Sequence, residues 1–221
     1  MYKVSLIIVS KSDTDEGKKL LKNTINTALL EPFIDIEVIV VDNHYKGEHI
    51  AVKQPTPFNY NACLNAGAKV ATGTHYFFAN NDLLFKKGSL AELVRMIDKH
   101  RLGSASAICP VAHNYINVPR GCYISYKVRQ AFAGWGFMLT KEAYNTIGGL
   151  KENCPFYCAD NETVEQLKEH NIKHGLVKTT FIEHIGQQTQ KHLDSKTYFE
   201  YTINSVEVFN KLYNQNIFNL N

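Results

Sequence analysis

Short apolar runs alternate with helical periodicity through the first half of the chain. Residues 4–9, 36–41 and 75–79 are nearly continuous runs of strand-forming residues, a pattern typical of strands buried in a parallel sheet. Between the first two runs, apolar residues recur at helical spacing over residues 16–30, and Pro32 ends that helix. A strand, helix, strand order with a right-handed crossover makes a parallel pair. The pattern therefore predicts an α/β fold whose strands end along one edge of the sheet.

Two further helices and a loop complete the first half. A loop is predicted over residues 44–57, followed by a helix of small residues over 58–71 that is closed by Gly73. The next helix is predicted near residues 90–100. Ser89 is its expected N-cap, and Glu92 would complete a capping box.

The second half is less regular and richer in glycine. Its predicted elements are strands at 105–109 and 172–182, a hairpin over 113–128 with its turn at 118–121, a glycine-flanked segment at 133–139, and helices from 141 to 148, from 160 to 170 and from 194 to 213. We find no repeats and no convincing linker. The sequence thus predicts a single domain over residues 1–221.

Composition excludes several classes of protein. Of the 221 residues, 44% are hydrophobic and 20% charged, as expected for a soluble globular protein. No apolar run approaches the roughly 18 residues of a membrane span, and residues 4–9 suit a first strand better than a signal peptide. A net charge of +3 permits an anionic partner, whereas dedicated nucleic-acid binders are usually more basic. We predict a cytoplasmic protein.

The cysteines do not indicate a disulfide framework or a zinc site. There are five of them, an odd number without regular spacing. Cys154 and Cys158 lie close in sequence, but no second pair at zinc spacing accompanies them. We therefore expect both to be buried thiols.

Candidate chemistry begins where the strands end. The run at 75–79 stops abruptly at Asn80, Asn81 and Asp82, and the strand before it ends in Asp42. In open α/β sheets, ligands bind beyond the carboxyl ends of such strands. A carboxylate delivered there could hold Mg²⁺ or Mn²⁺ against the phosphates of a substrate. The alternative is that these residues form an ordinary polar turn.

Several short motifs, taken in order, resemble an inverting, family 2-like glycosyltransferase of the GT-A fold, with an Asn-Asn-Asp variant of the Asp-x-Asp motif. The resemblance extends over about residues 4–190. The matching segments are 4–10, 40–43, 58–60 with Asn65, Gly73, 80–82, 134–139, 148–149, Phe156 with Asp160, and His184 with Gly186 and Thr189. It implies a Rossmann-like, mostly parallel central sheet flanked by helices. Residues 1–100 would bind a nucleotide sugar, 101–190 would form the acceptor half, and 191–221 would be a C-terminal helix.

The resemblance also implies roles for individual residues. Asp160 would be the general base, and Asp82 and His184 would bind the metal. The donor-binding residues would be Ser10, Asp42, Asn59, Asn65, Asn80 and Asn81, and the acceptor-binding residues Gly134 and Trp135.

Each of these residues also has an ordinary structural interpretation. Asp160 could cap its helix, whose dipole would keep the carboxylate ionised, and His184 could bond to backbone. Trp135 could be a core residue, and Asn59 and Asn65 could bond at helix ends. Glu162 is a reserve candidate for the base.

The implied reaction is transfer of a sugar from a nucleoside diphosphate donor, a UDP-sugar above all, to an acceptor hydroxyl with inversion and with Mn²⁺ or Mg²⁺. The acceptor would be a glycan or, in a phage-like role, a modified nucleobase in DNA. Ala159 and Lys151 depart from the family pattern, and this leaves the acceptor class open.

A nucleotidylyltransferase would carry a glycine-rich, arginine-containing loop after its first strand, which residues 10–14 do not form. A non-catalytic nucleotide-sugar-binding protein is a second alternative. The sequence leaves the oligomeric state open.

Overall fold

The computed structural model describes residues 2–111, 113, 121–186, 196 and 199–217. Within these ranges the strands are β1 (Lys3–Val9), β2 (Asp35–Val41), β3 (Ile50–Val52), β4 (His75–Asn80), β5 (Leu83–Phe85), β6 (Ser104–Ile108), β7 (Cys122–Ile124), β8 (Gly136–Thr140) and β9 (His174–His184). The helices are α1 (Asp15–Ala28), α2 (Tyr60–Ala68), α3 (Ser89–His100), α4 (Lys141–Thr146), α5 (Ala159–Glu169), a π-helical turn (Glu200–Asn204) and α6 (Ser205–Tyr213).

The strands form one sheet in the order β3-β2-β1-β4-β8-β6-β9-β5, with β7 paired to β9. Strands β1 to β4 are parallel, and β8 runs antiparallel to both β4 and β6. Because β9 is parallel to β6, six of these nine strands, β1–β4, β6 and β9, point the same way. The predicted helix-flanked, mostly parallel sheet is confirmed.

Register brings the predicted strand ends together. Val9 of β1 lies beside Val41 on one side and beside Asn80 on the other. The residues that follow these positions, Ser10, Asp42 and Asn81, therefore leave the sheet at the same edge. This is the arrangement that the sequence predicted for a strand, helix, strand unit.

The core has two layers, one on each face of the sheet. Successive strand residues point to opposite faces, so Phe77 and Phe78 belong to different clusters. The first cluster includes Leu21 of α1 and Leu93 of α3, and the second includes Leu64 of α2. Burial of these apolar faces fixes the helices against the sheet, and with them the loops at the edge.

Some predicted elements differ from the structure. The predicted loop at 44–57 contains β3, which adds to the sheet beside β2. Ser89 is not the N-cap of α3: Gly88, at φ 82°, takes that position without a side-chain cap. The capping box is also wrong, because the carboxylate of Glu92 binds Arg95 and Thr179. A glycine suits the left-handed conformation that the cap requires here.

Parts of two predicted elements lie outside the described residues. The hairpin turn at 118–120 is one, and β7 on its far side pairs with β9. The predicted tail helix is confirmed over residues 199–213, whereas 194, 195, 197 and 198 are outside the description.

Cys154 and Cys158 are buried, as predicted, and pack against Val206 and Phe209 of α6. All five cysteines are free thiols. In the part of the chain that the structure describes, no helix combines the length and apolar character needed to cross a membrane.

Candidate active site

Asp82 and His184 meet at the edge of the sheet. Strand β5 pairs with β9 so that Leu83 lies opposite His184, which brings the neighbouring Asp82 to the imidazole. The distance from Asp82 Oδ1 to His184 Nε2 is 3.2 Å. The other carboxylate oxygen, Oδ2, accepts a hydrogen bond from the Gly186 N–H at 3.1 Å. Oδ1 is buried and takes no well-aligned hydrogen bond from the described residues.

This pair has the chemistry of a partial metal site. A buried carboxylate oxygen without a hydrogen bond is costly unless a cation or proton satisfies it. Carboxylate and imidazole ligands suit Mn²⁺, and carboxylate suits Mg²⁺. Among the described residues, no group of three or more His, Cys, Asp or Glu side chains could hold a metal. The two side chains therefore fit a cation that takes its other ligands from substrate phosphates and water, as Mg²⁺ commonly does.

Asp160 lies in the first turn of α5 and accepts a hydrogen bond from the Asn161 N–H at 2.9 Å. Burial raises the pKa of its carboxyl above the usual range, although the Asn161 N–H and the Arg129 guanidinium act in the opposite direction. The helix dipole was expected to favour the ionised form of this carboxylate, and burial acts against that effect. Desolvation outweighs the helix terminus here.

Gly134 packs directly against Asp160. A Cβ atom at position 134 would lie 2.6 Å from Asp160 Cβ and 2.8 Å from Oδ2, closer than real contacts allow. The absence of a side chain at 134 therefore makes room for the carboxylate. The structure gives this glycine a role in positioning Asp160, in addition to its place in the predicted acceptor site.

Trp135 is half-buried, lines the cavity and also packs against the core, which was its alternative interpretation. Its ring stacks on that of His184, with centroids 5.2 Å apart and an interplanar angle of 16°. It also packs against the first core cluster. Its carbonyl accepts a hydrogen bond from the Asn80 N–H at 2.9 Å, so the segment is tied to the end of β4.

These groups border one cavity of about 650 Å³. The predicted site residues that line it are Asn80, Gly134, Trp135, Asp160 and His184. Asp82 lies immediately behind His184. The structure therefore gathers the predicted base, metal pair and acceptor segment around a single volume of the size that ligand sites commonly have.

Tyr60 is a site residue that sequence reasoning missed. Its hydroxyl donates to Asn80 Oδ1 at 2.8 Å and lies 3.4 Å from the Gly134 carbonyl oxygen. Burial raises the pKa of the phenol, and the nearby Asp82 and Asp160 raise it further. Tyr60 thus stands between the two carboxylates as a neutral hydrogen-bond donor. Tyr60 belongs to the motif at 58–60, from which only Asn59 was predicted as a donor-binding residue.

The predicted donor residues Ser10, Asp42 and Asn81 cluster at the same edge but do not line this cavity. Asp42 is buried, and its two oxygens accept hydrogen bonds from the Ser12 and His44 N–H groups, both at 2.7 Å. The Asn81 amide donates to Ser10 Oγ at 3.3 Å. The loops after β1 and β2 are therefore held in fixed positions by backbone donors.

Two other predicted donor residues have structural partners instead. Asn59 is the N-cap of α2, where its side chain accepts from Ala62 N, and its amide donates to the Glu152 carbonyl. Asn65 donates to the Leu150 carbonyl at 2.7 Å and accepts from the Leu150 N–H at 3.0 Å. Neither lines the cavity. Both amides satisfy buried or helix-end backbone groups, which was the alternative interpretation of these residues.

Glu162, the reserve base, is fully buried and is occupied elsewhere. Its carboxylate accepts from the Asn153 side chain at 2.6 Å and from the Asn153 and Cys154 N–H groups. It holds the loop before α5 and is not among the cavity residues. Glu162 is therefore not placed to act as the base, which corrects the prediction of it as a reserve candidate.

Comparisons with known proteins identify the family and the fold. The family model described as Glycosyl transferase family 2 matches residues 5–159. The catalytic domain of Drosophila β1,4-galactosyltransferase 7, solved with xylobiose, has a similar fold: the TM-score is 0.57, the identity is 14%, and the match covers 88% of this chain and 75% of that one. No significant match was found among curated proteins. The chain belongs to glycosyl transferase family 2 and is a glycosyltransferase of the GT-A fold.

Proposed function

We propose that the protein transfers a sugar from a nucleoside diphosphate donor, preferentially a UDP-sugar, to an acceptor hydroxyl with inversion of configuration. The observation that carries this proposal is the shared cavity, which Asp160 and His184 both line. Asp82 and Asp160 both raise the pKa of the Tyr60 phenol, so the two carboxylates lie close to the same side chain. One group can then serve the leaving diphosphate while the other serves the acceptor.

Asp82 and His184 would hold Mn²⁺ or Mg²⁺. Such a cation, when bound, neutralises the negative charge that develops on a departing diphosphate. The contribution of this chain is the pairing of a buried carboxylate oxygen with an imidazole nitrogen 3.2 Å away. Stacking of His184 on Trp135 restricts the orientation of the imidazole ring.

Asp160 would accept the proton of the acceptor hydroxyl. A carboxylate with a raised pKa is a stronger base than a solvent-exposed one, and a base works best when its pKa lies nearer the working pH. Because Gly134 has no side chain, Asp160 Oδ2 stays accessible to the cavity. Asp160 and the metal pair would then act from different walls of the cavity, as inversion requires of base and leaving group.

Asp42, Ser10 and Asn81 would bind the nucleotide at the adjacent edge of the sheet. The backbone hydrogen bonds to Asp42 fix its carboxylate, and each oxygen has a second lone-pair direction for an N–H of the base. We propose a glycan or a modified nucleobase in DNA as the acceptor. A non-catalytic binding protein would have no need of a buried base beside a glycine that accommodates it.

The test is the Asp160→Asn variant, assayed with the nucleotide sugar that a thermal-shift screen selects. The amide keeps the size of the side chain and can still accept from the Asn161 N–H, but it has no basicity. We expect turnover to fall about 10²–10⁴-fold while the Kd for UDP is unchanged. Proton NMR of the wild-type product should show the inverted anomer.

The matched control is Glu165→Gln, which removes an acid from the same helix outside the cavity. It should leave turnover intact. In the wild type, the acid limb of the kcat profile should lie above the ordinary range of an aspartate, since burial raises the pKa of Asp160. Normal turnover by Asp160→Asn, or a product with retained configuration, would contradict the mechanism.

A further inference from the structure

Within the described part of the chain, one lysine or arginine borders the cavity, and its side chain makes no hydrogen bond or ion pair there. Among the described residues that line the cavity, Arg129 is the sole lysine or arginine. It is exposed, and the described residues make no hydrogen bond or ion pair with its guanidinium. Most other charged groups at the site either pair with each other or accept backbone hydrogen bonds. Arg129 therefore has its full hydrogen-bonding capacity available for a ligand.

The backbone at Arg129 is held in an unusual conformation. Its φ is 64°, a left-handed value that is uncommon for residues other than glycine, asparagine and aspartate. The turn is fixed by hydrogen bonds from the N–H groups of Gln130, Ala131 and Phe132 to the Lys127 carbonyl and from Arg129 N–H to the Phe132 carbonyl. An arginine in this backbone conformation costs free energy, and such strain is common at functional sites.

Arg129 acts on the part of the cavity that contains Asp160. Its positive charge lowers the pKa of both the Asp160 carboxyl and the Cys158 thiol, against the effect of burial. These residues open α5, on the acceptor side of the proposed reaction. An anion bound by Arg129 would therefore lie near the base.

Part of the cavity wall is apolar or aromatic. Val128, Phe156, Tyr157 and Ile217 line the same cavity, and such surfaces suit the faces of a sugar ring. A planar guanidinium binds carboxylate and phosphate with two parallel hydrogen bonds. The cavity thus combines a sugar-sized apolar surface with a single anion-binding group.

We propose that Arg129 binds an anionic group of the acceptor, a carboxylate or a phosphate, and thereby orients a nearby acceptor hydroxyl towards Asp160. This inference rests on the proposed function, which it deepens by assigning an acidic acceptor. It differs from a contact between Arg129 and the donor, whose diphosphate would be held at Asp82 and His184.

The experiment uses Trp135 as a reporter, since it is the chain's only tryptophan and lines the cavity. Its fluorescence is titrated at low salt with two matched pairs of probes: methyl glucuronoside against methyl glucoside, and glucose 6-phosphate against glucose. In the wild type we expect the anionic probe of at least one pair to bind about tenfold or more tightly than its neutral partner, because a hydrogen-bonded charge pair contributes about that much. The pair with the larger difference identifies the anion of the acceptor as a carboxylate or a phosphate.

Arg129→Asn is the test variant, because asparagine tolerates the left-handed backbone while removing the charge. It should abolish the difference within each pair. Lys127→Gln is the control, since it removes a cation from the same turn outside the cavity and should leave the difference intact. Equal binding of anionic and neutral probes by the wild type, or a difference that survives in Arg129→Asn, would overturn the proposal.

A separate titration with UDP distinguishes the other failures. If Arg129→Asn weakens UDP binding and leaves the sugar probes unchanged, Arg129 belongs to the donor site and the proposal is wrong. Because the sugar probes need no donor, their result is independent of the proposed transfer. Failure of the wild type to bind UDP or to consume any nucleotide sugar would count against the proposed function alone.

Discussion

The loops at the ends of β1 and β2 and the walls of the cavity use polar residues in opposite ways. At the strand ends, both oxygens of Asp42 accept backbone hydrogen bonds, and Ser10 pairs with Asn81. In the cavity region, Asp82 Oδ1 takes no aligned hydrogen bond from the described residues, and Asp160 is desolvated. In the first region the polar groups form hydrogen bonds within the protein, whereas in the second their hydrogen bonding and solvation are incomplete.

Backbone conformation shows the same contrast. Five described residues other than glycine have positive φ: Arg101, Asn171 and Asn214 lie at the ends of helices, Arg129 and Cys158 line the cavity, and the segments that follow β1 and β2 contain none. Strain and incomplete hydrogen bonding are common where a site is organised for a ligand and not for the empty state. The difference suggests that the loops at the strand ends are held in one conformation. It also suggests that the cavity, which we call the poised region, is organised to react with a ligand.

The largest effect should come from Asp82→Asn, which tests the poised region directly. Loss of the negative charge leaves His184 as the remaining member of the pair, so we expect metal-dependent transfer to be abolished. The amide oxygen can still accept from the Gly186 N–H, and the fold should persist. Transfer assays across a Mn²⁺ titration, with circular dichroism, measure both outcomes.

Asp35→Asn serves as its control, because this exposed carboxylate lies at the start of β2, at the end of the strand remote from Ser10 and Asp42. It should leave the Mn²⁺ dependence unchanged. Undiminished turnover in Asp82→Asn would remove the metal role from this residue and weaken the contrast between the two regions.

The next largest effect is expected for Gly134→Ala. The new Cβ would meet Asp160 at 2.6 Å, so the carboxylate must move. Small displacements of a catalytic group can cost about 10²-fold in rate, and we expect kcat to fall by that order while UDP affinity is retained. The measurement is steady-state kinetics on the single variant.

A double variant sharpens this prediction. If Gly134→Ala acts by displacing Asp160, it should cost little further activity when combined with Asp160→Asn, since interacting sites are not additive. Full additivity of the two effects would mean that Gly134 acts through another group.

A smaller effect is expected for Asp42→Ala, which tests the loops at the strand ends. If this carboxylate receives an N–H of the donor base, its loss should weaken nucleoside diphosphate binding by about 1–3 kcal/mol. Calorimetry with UDP and other nucleoside diphosphates measures this. Unchanged affinity for all of them would restrict Asp42 to holding its own loop.

The smallest effect concerns the amino end of the sheet, remote from both regions. Burial favours the neutral form of Glu37, but hydrogen bonds from Ser5, Thr72 and Lys3 outweigh it and lower the pKa to about 2. Stability from this ionised group is present above its unfolded pKa and is lost as pH falls towards 2. Glu37→Gln should therefore cost about 1–2 kcal/mol at pH 7, after allowance for solvent screening.

Urea unfolding at pH 7 and at pH 3 checks this expectation. The difference between wild type and Glu37→Gln should shrink at the lower pH. Transfer activity should be unaffected, and a loss of kcat in the folded variant would show that the framework and the cavity are coupled.

The sequence predicted the regular half of the fold well because its signals are local. Continuous apolar runs and helical spacing identify β1, β2, β4 and their helices, and parallel pairing then follows from chain order. Short strands were missed: β3 has three residues and lies in a loop that contains proline and glycine. So few residues give no periodicity to detect.

The sequence indicated candidate residues where a side chain reports its own chemistry: Asp82 and His184 lie 3.2 Å apart, and Asp160 and His184 line one cavity, while their roles stay predictions. Asn65 was harder, because whether its amide faces a ligand or the Leu150 backbone depends on residues far away in sequence. Tyr60 and Arg129 were missed for the same reason. The burial that raises the pKa of Asp160 is likewise a property of the packed cavity and has no local signal.

The docking of α6 gives the last described helix a part in the cavity. Phe209 and Val206 pack on Cys154 and Cys158, Tyr201 contacts the rings of Phe58 and Phe156, and Ile217 lines the cavity. The loop that precedes Asp160 therefore takes part of its support from residues much further along the chain. Damage to α6 should then reach the cavity without touching any residue of the sheet.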